Sequence, residues 1–212
     1  MRGHEPIKVD LPTEDESAGW WDYADAVVDV VADRERLVVV GHSLGGFTAP
    51  LVCAWRPTDL LVFVAGMVPA PGESFNDWWA NTGYEDSGYE DVFYHDVPPE
   101  LAAEARKRER GQADKPLAEP WPLRQWPEVP TRYLLCRDDR MFPAEWARRH
   151  ARERLGVEPD EMDGGTTSRS AGPLNWPSVS TATRQILAHA RPNRASALPE
   201  ALSAPPARSR RT

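Results

Sequence analysis

Cysteine is nearly absent from this 212-residue chain, lysine is scarce, and no apolar run is long. The two cysteines, Cys53 and Cys136, cannot build a disulfide framework, and both sit in apolar runs where a buried free thiol is expected. The sequence shows no metal-ligand spacing, so neither a metal nor a cofactor is implied. No apolar stretch has the length needed to span a bilayer, and the opening MRGHEPIKVD lacks an apolar core of signal-peptide length. A reducing cytoplasm is therefore the expected location. A surplus of basic charge is missing too. The formal net charge of −8 argues against nucleic acid and anionic membranes as partners and leaves a small-molecule substrate.

What is present is enough for a real core. The chain is 41% hydrophobic, and its length suits one domain, or one domain with a small insert. Charge is unevenly spread: residues 1–165 carry −14, whereas residues 166–212 carry +6. That break marks a boundary.

Ile7 to Leu11 reads as a short strand before Pro12. From Ala18 to Asp33, Trp21, Ala24, Val27, Val28 and Val31 recur at spacings of three and four, which predicts an amphipathic helix. Leu37 to Val40 is a β-branched run typical of a strand buried on both faces. Phe47 to Trp55 follows as a buried helix, and Leu60 to Ala65 as a second buried strand. This alternation predicts an α/β fold with a mostly parallel sheet flanked by helices. Residues 67–130 break the rhythm, with helix-like pieces at Phe75 to Ala80 and Pro99 to Arg110. An insert of that size is too long for a plain loop and is expected to form a cap over the sheet, leaving residues 1–66 and 131–165 as the core. The sheet resumes at Thr131 to Cys136, a charged helix spans Ala144 to Leu155, and Val157 to Met162 supplies a last strand. Residues 166–212, rich in Ala, Ser, Pro, Thr and Arg, are expected to be mostly disordered.

Chemistry concentrates at Gly41-His42-Ser43-Leu44-Gly45. This G-x-S-x-G pattern is specific when it follows a buried strand and opens a buried helix. Reversing direction in so few residues holds Ser43 in a strained conformation, and side-chain-free neighbours are required two positions either side. The turn lifts the Ser43 hydroxyl clear of the sheet and sets it at a helix N-terminus, where the Leu44 amide can donate to a developing oxyanion. His42 should point away from Ser43 and pack beside the sheet. A dinucleotide fingerprint is not spelled. Trp78, Trp79, Tyr84, Tyr89 and Tyr94 in the insert either line an apolar pocket or form the insert's own core.

The segment LVVVGHSLGGFTAPLV resembles the elbow of the α/β-hydrolase superfamily, in the bacterial esterase-like branch related to plant methylesterases and hydroxynitrile lyases. VPTRYLLCRDDRMFPAEWARR resembles that family's later strand, acid turn and following helix. The resemblance implies a Ser-His-Asp triad in the order serine, acid, histidine. Ser43 falls at the nucleophile and Asp139 at the acid, with Asp138 the neighbouring alternative. The implied reaction is attack by Ser43 on a small ester or related carbonyl, through an acyl-enzyme.

Two of the family's parts are not found. Its general base follows a glycine pair after the last strand, but here Gly164-Gly165 is followed by Thr166, which cannot exchange a proton near neutral pH. His95 in the insert and His189 in the tail are the substitutes to consider. The front resembles the link leading into the second part of the sheet, so the first strands and the loop giving the second oxyanion donor are expected to be missing. The tail suggests a cause for the lost histidine. In codons ending mainly in G or C, one admissible reading of the tail one register over is HHVALSRPAELAERL after the glycine pair, which resembles the family's histidine loop and final helix. Only its Leu-Ala pair, forced by Asn175-Trp176-Pro177, is independent of codon choice. A frame-shifted tail is the hypothesis, and gene codons incompatible with that peptide would remove it. The expected activity is weak or absent. A non-catalytic remnant or binding protein is the alternative, and hydroxynitrile-lyase chemistry on the same residues is a third.

Overall fold

The structure, a computed structural model, describes residues 5–167. The tail beyond Thr167, His189 and the first four residues lie outside them.

The predicted alternation is what the chain builds. Helix α1 (Trp20–Val31) leads into β1 (Leu37–His42), α2 (Gly45–Trp55) and β2 (Thr58–Val64). Residues 65–130 hold three short helices: α3 (Phe75–Asn81), α4 (Pro99–Arg106) and α5 (Asp114–Ala118). The chain then returns through β3 (Thr131–Cys136), α6 (Ala144–Leu155) and β4 (Asp160–Met162). The four strands form one sheet in the order β1-β2-β3-β4, every neighbouring pair parallel. Such a sheet aligns all its strand ends, so the loops after β1, β3 and β4 leave from one edge. No helix among the described residues is long and apolar enough to cross a membrane.

Burial follows position in the sheet. Leu60 to Val64 on β2 and Tyr133 to Cys136 on β3 are buried, as central strands must be. β1 departs from expectation: Leu37 to Val40 are only half-buried, because among the described residues β1 pairs on one side alone. Ile7 to Leu11 forms no strand, since no neighbouring strand accepts its backbone; Arg110 holds it instead through Asp10, the Leu11 carbonyl and Glu14. α1 buries Trp20, Tyr23, Ala24, Val28 and Val31, while Trp21 leans over Trp55 with ring centroids 4.6 Å apart. α4 stops at Arg106 rather than Arg110.

The insert is stitched firmly to α6. Glu73, 8% exposed, receives a two-pronged bond from Arg154 (2.9 Å to each oxygen) and further bonds from the Ala70 amide and Asn81. Charges so poorly hydrated persist only when every lone pair is answered. Above this pair lies an aromatic cluster of Trp78, Trp79, Tyr84, Phe142 and Trp146. Trp146 stacks on His150 at 4.5 Å and 14°. His150 is 2% exposed, and its Nε2 accepts the Val68 amide at 3.2 Å. Burial, aided by Arg154 and Arg149, pushes its pKa down to about 3, so the ring stays neutral.

A neutral His150 makes folding acid-sensitive. Its contribution is complete above the unfolded-state pKa of about 6.5 and is lost as pH falls toward 3, because only the unfolded chain takes up the proton. Urea denaturation should show wild-type stability falling between pH 7 and pH 4. His150→Gln keeps an acceptor for Val68 and should give a flatter profile over that range.

Candidate active site

Ser43 sits between β1 and α2 with φ +49°, in the left-handed region that a side chain rarely occupies. Its carbonyl accepts the amides of Gly46 and Met67, both at 3.0 Å, and its own amide donates to the Val64 carbonyl at 3.3 Å. The turn is thereby pinned to the end of β2. Gly41 is as tight as expected: a Cβ there would lie 2.9 Å from both the Ala49 Cβ and the Gly45 carbonyl oxygen. Gly45 is not, for a Cβ there meets nothing within 4 Å. The indispensable partner is Gly46, whose Cβ would come within 3.0 Å of the Met67 backbone carbon and nitrogen and closer still to its oxygen. The second glycine of Gly45-Gly46 was the signal that a reading by spacing passes over. α2 begins at Gly45 with Leu44 as its cap, and the Leu44 amide meets no acceptor among the described residues.

Asp139 lies in the turn after β3, two strands from the elbow along the same edge, a lateral separation of about 10 Å. The residue is 5% exposed. Oδ1 accepts the amides of Met141 (2.8 Å) and Phe142 (3.1 Å), whereas Oδ2 is buried with no partner. Burial raises its pKa to about 6, opposed by the Phe142 and Met141 amides and by His95. Asp138 is placed differently. It faces solvent and accepts the Gly164 amide at 2.8 Å, holding the loop after β4.

That loop joins the site together. The Gly165 amide donates to Asp96 at 2.6 Å, and Thr166 Oγ1 meets His42 Nε2 at 2.8 Å. His42 is thus exposed and bonded to Thr166, not packed beside the sheet. His95 stands beside Gly165, where a Cβ would lie 2.8 Å from its Nε2. A cleft of about 600 Å³ opens here, lined by Tyr89, His95, Asp96, Asp138, Asp139 and Arg140 among others.

The aromatic residues divide between the two alternatives. Trp78 is fully buried, its indole N–H bonded to the Val68 carbonyl at 3.0 Å, and has no surface to offer a ligand. Trp79 and Tyr84 belong to the same cluster. Tyr94 bonds Glu109 through its hydroxyl, with Arg106 over its ring. Of these residues it is Tyr89 that lines the cleft. No group of acidic, histidine or cysteine side chains among the described residues could hold a metal ion.

A family model described as "Alpha/beta hydrolase family" matches residues 1–168. No curated protein matches the sequence. Among solved structures, polyneuridine aldehyde esterase is 19% identical with a TM-score of 0.64, the match covering 82% of each chain. An extracellular alpha/beta-hydrolase from a Paenibacillus species is 18% identical with a TM-score of 0.63, covering 84% of this chain and 81% of that one. A pyrethroid hydrolase from Sphingobium faniae is 16% identical with a TM-score of 0.59, covering 85% of each. At these identities the likeness is one of fold.

Two substitutions test the site's construction. Gly46→Ala should destabilise the chain by about 1–3 kcal/mol, through overpacking against the Met67 backbone, while Gly45→Ala should cost little, as read by thermal melts. Asp139 has a folded pKa above its unfolded one, so its contribution is complete below about pH 4 and is lost as pH rises through 6. Asp139→Asn should therefore be more stable than wild type at pH 8, by about 1–3 kcal/mol, and lose that advantage near pH 4.

Proposed function

Because the chain belongs to the alpha/beta hydrolase family, we propose that it is an esterase-type serine hydrolase with Ser43 as nucleophile. The observation that carries this reading is the positive φ of Ser43 at a strand-to-helix turn on the sheet edge from which Asp139 also projects. Ser43 Oγ attacks the carbonyl of a small ester, and the Leu44 amide at the head of α2 donates to the oxyanion. The acid is Asp139, not Asp138, because a buried carboxylate with one free oxygen is what an imidazole would need as its orienting partner. Residues 67–130 cap this edge and shape the entrance. Thr166 holds the position where the base is due, so turnover is slow.

A non-catalytic binding role is the second reading. It is favoured by the Thr166 hydroxyl being tied to His42 and by Asp139 Oδ2 having no donor. A lyase of the hydroxynitrile type would use the same residues and show cyanohydrin cleavage without ester turnover.

A fluorophosphonate probe should label Ser43, and slow p-nitrophenyl acetate turnover should disappear in Ser43→Ala. Thr166→His should raise turnover by about 100-fold, the usual contribution of a well-placed base. A folded chain that neither labels nor turns over ester would support the non-catalytic reading instead.

A further inference from the structure

Two buried polar atoms in the cleft have no hydrogen-bond partner: Asp139 Oδ2 and His95 Nε2. One accepts only and the other belongs to a ring that can donate. The imidazole of His95 is 9% exposed and makes no hydrogen bond among the described residues; its nearest charged neighbour is Asp96 Oδ1, at 4.0 Å from Nε2. A buried imidazole with nothing to bond is costly unless it has work to do. Its place is telling as well, beside Gly165, one residue before Thr166, which itself touches the elbow through His42.

We infer that His95 is the proton acceptor for Ser43, oriented by Asp139, so that an imidazole from the insert replaces the one absent at position 166. This rests on the proposed role of Ser43 and supplies its missing step. The pairing requires the ring to turn about its own side-chain torsions toward Asp139 Oδ2, with one nitrogen donating to that oxygen and the other facing Ser43. As Ser43 Oγ bonds to the ester carbonyl carbon, the carbonyl electron pair moves to oxygen and the hydroxyl proton passes to His95. The ring then gives that proton to the departing alkoxide as the C–O bond breaks, leaving acyl-Ser43 and an alcohol. Water repeats the cycle, losing its proton to His95 as it attacks, and the ring returns a proton to Ser43 Oγ as the acid leaves.

The other ionisable groups around the cleft are otherwise engaged. Arg137 bonds Glu161 and Asp163, and Arg140 lies over the Tyr89 ring. Asp96 and Asp138 hold the Gly165 and Gly164 amides. Of the side chains lining the cleft, His95 is the one that carries an imidazole. Its charge is also felt by Asp139, whose carboxyl it pulls down against the effect of burial.

The test measures Ser43 labelling by a fluorophosphonate from pH 5 to pH 9. Wild-type labelling should rise with pH through one inflection as the base loses its proton. His95→Asn and His95→Gln should slow it by about 100-fold and remove the inflection, and the double variant with Asp139→Asn should be no worse than the slower single one. NMR titration of the otherwise wild-type chain gives a second measure, in which Asp139→Asn should lower the His95 ring pKa. Folded His95 variants labelled at the wild-type rate with the wild-type pH profile would overturn the assignment, as would a His95 titration indifferent to Asp139→Asn. A wild-type chain that is never labelled would overturn both this inference and the role of Ser43.

Discussion

The closeness of two backbones governs this structure. Gly46 at the head of α2 lies so near Met67, just after β2, that no side chain fits between them. That contact lets the Ser43 carbonyl collect two amides, one from its own helix and one from the strand exit beside it. The left-handed backbone of Ser43 is thereby over-determined. A conformation that costs on the order of 1–3 kcal/mol persists only because its surroundings leave no alternative. The placing of the Leu44 amide at the head of α2, with no acceptor among the described residues, follows from that one approach.

The parallel sheet turns local order into a site. Strands that run one way deliver their loops to one edge, so residues far apart in sequence meet without a dedicated scaffold. The two aspartates after β3 show how sharply such a loop can divide labour. Asp138 holds Gly164 and stays in water, while Asp139 turns inward, fills one oxygen with turn amides and keeps the other free. Neighbours in sequence differ here in burial, and burial decides which one is chemically available.

Much of the core could be read from the chain, for identifiable reasons. β3 and α6 run from Thr131 to Cys136 and from Ala144 to Leu155, as read, because Pro130, Pro143 and Gly156 punctuate them. The strand expected at Ile7 to Leu11 did not form, since alternation describes one strand and says nothing of a partner. α5 went unread because five residues hold no helical period. At the candidate site, Ser43 was legible from its motif, and Asp139, with Asp138 as the alternative, only through the family resemblance. The meeting of His95 with Gly165, and the burial of Trp78 away from the cleft, depend on how residues 67–130 fold back, which composition does not encode.

The Glu73–Arg154 pair has a mechanical consequence. Together with the Trp146 indole on the Thr82 carbonyl and Arg149 on the Gly83 carbonyl, it welds the first third of the insert to α6. Between Tyr89 and Asp96 the fastening is lighter, as in the Gly165 amide on Asp96, before the fully buried Trp121 ties the far end of the insert to the Phe47 carbonyl at 2.8 Å. The insert is thus a plate bolted at both ends and latched lightly between them. The lightly held stretch, Tyr89 to Asp96, is the one that walls the cleft, so the entrance is bounded by the part of the plate with the fewest ties.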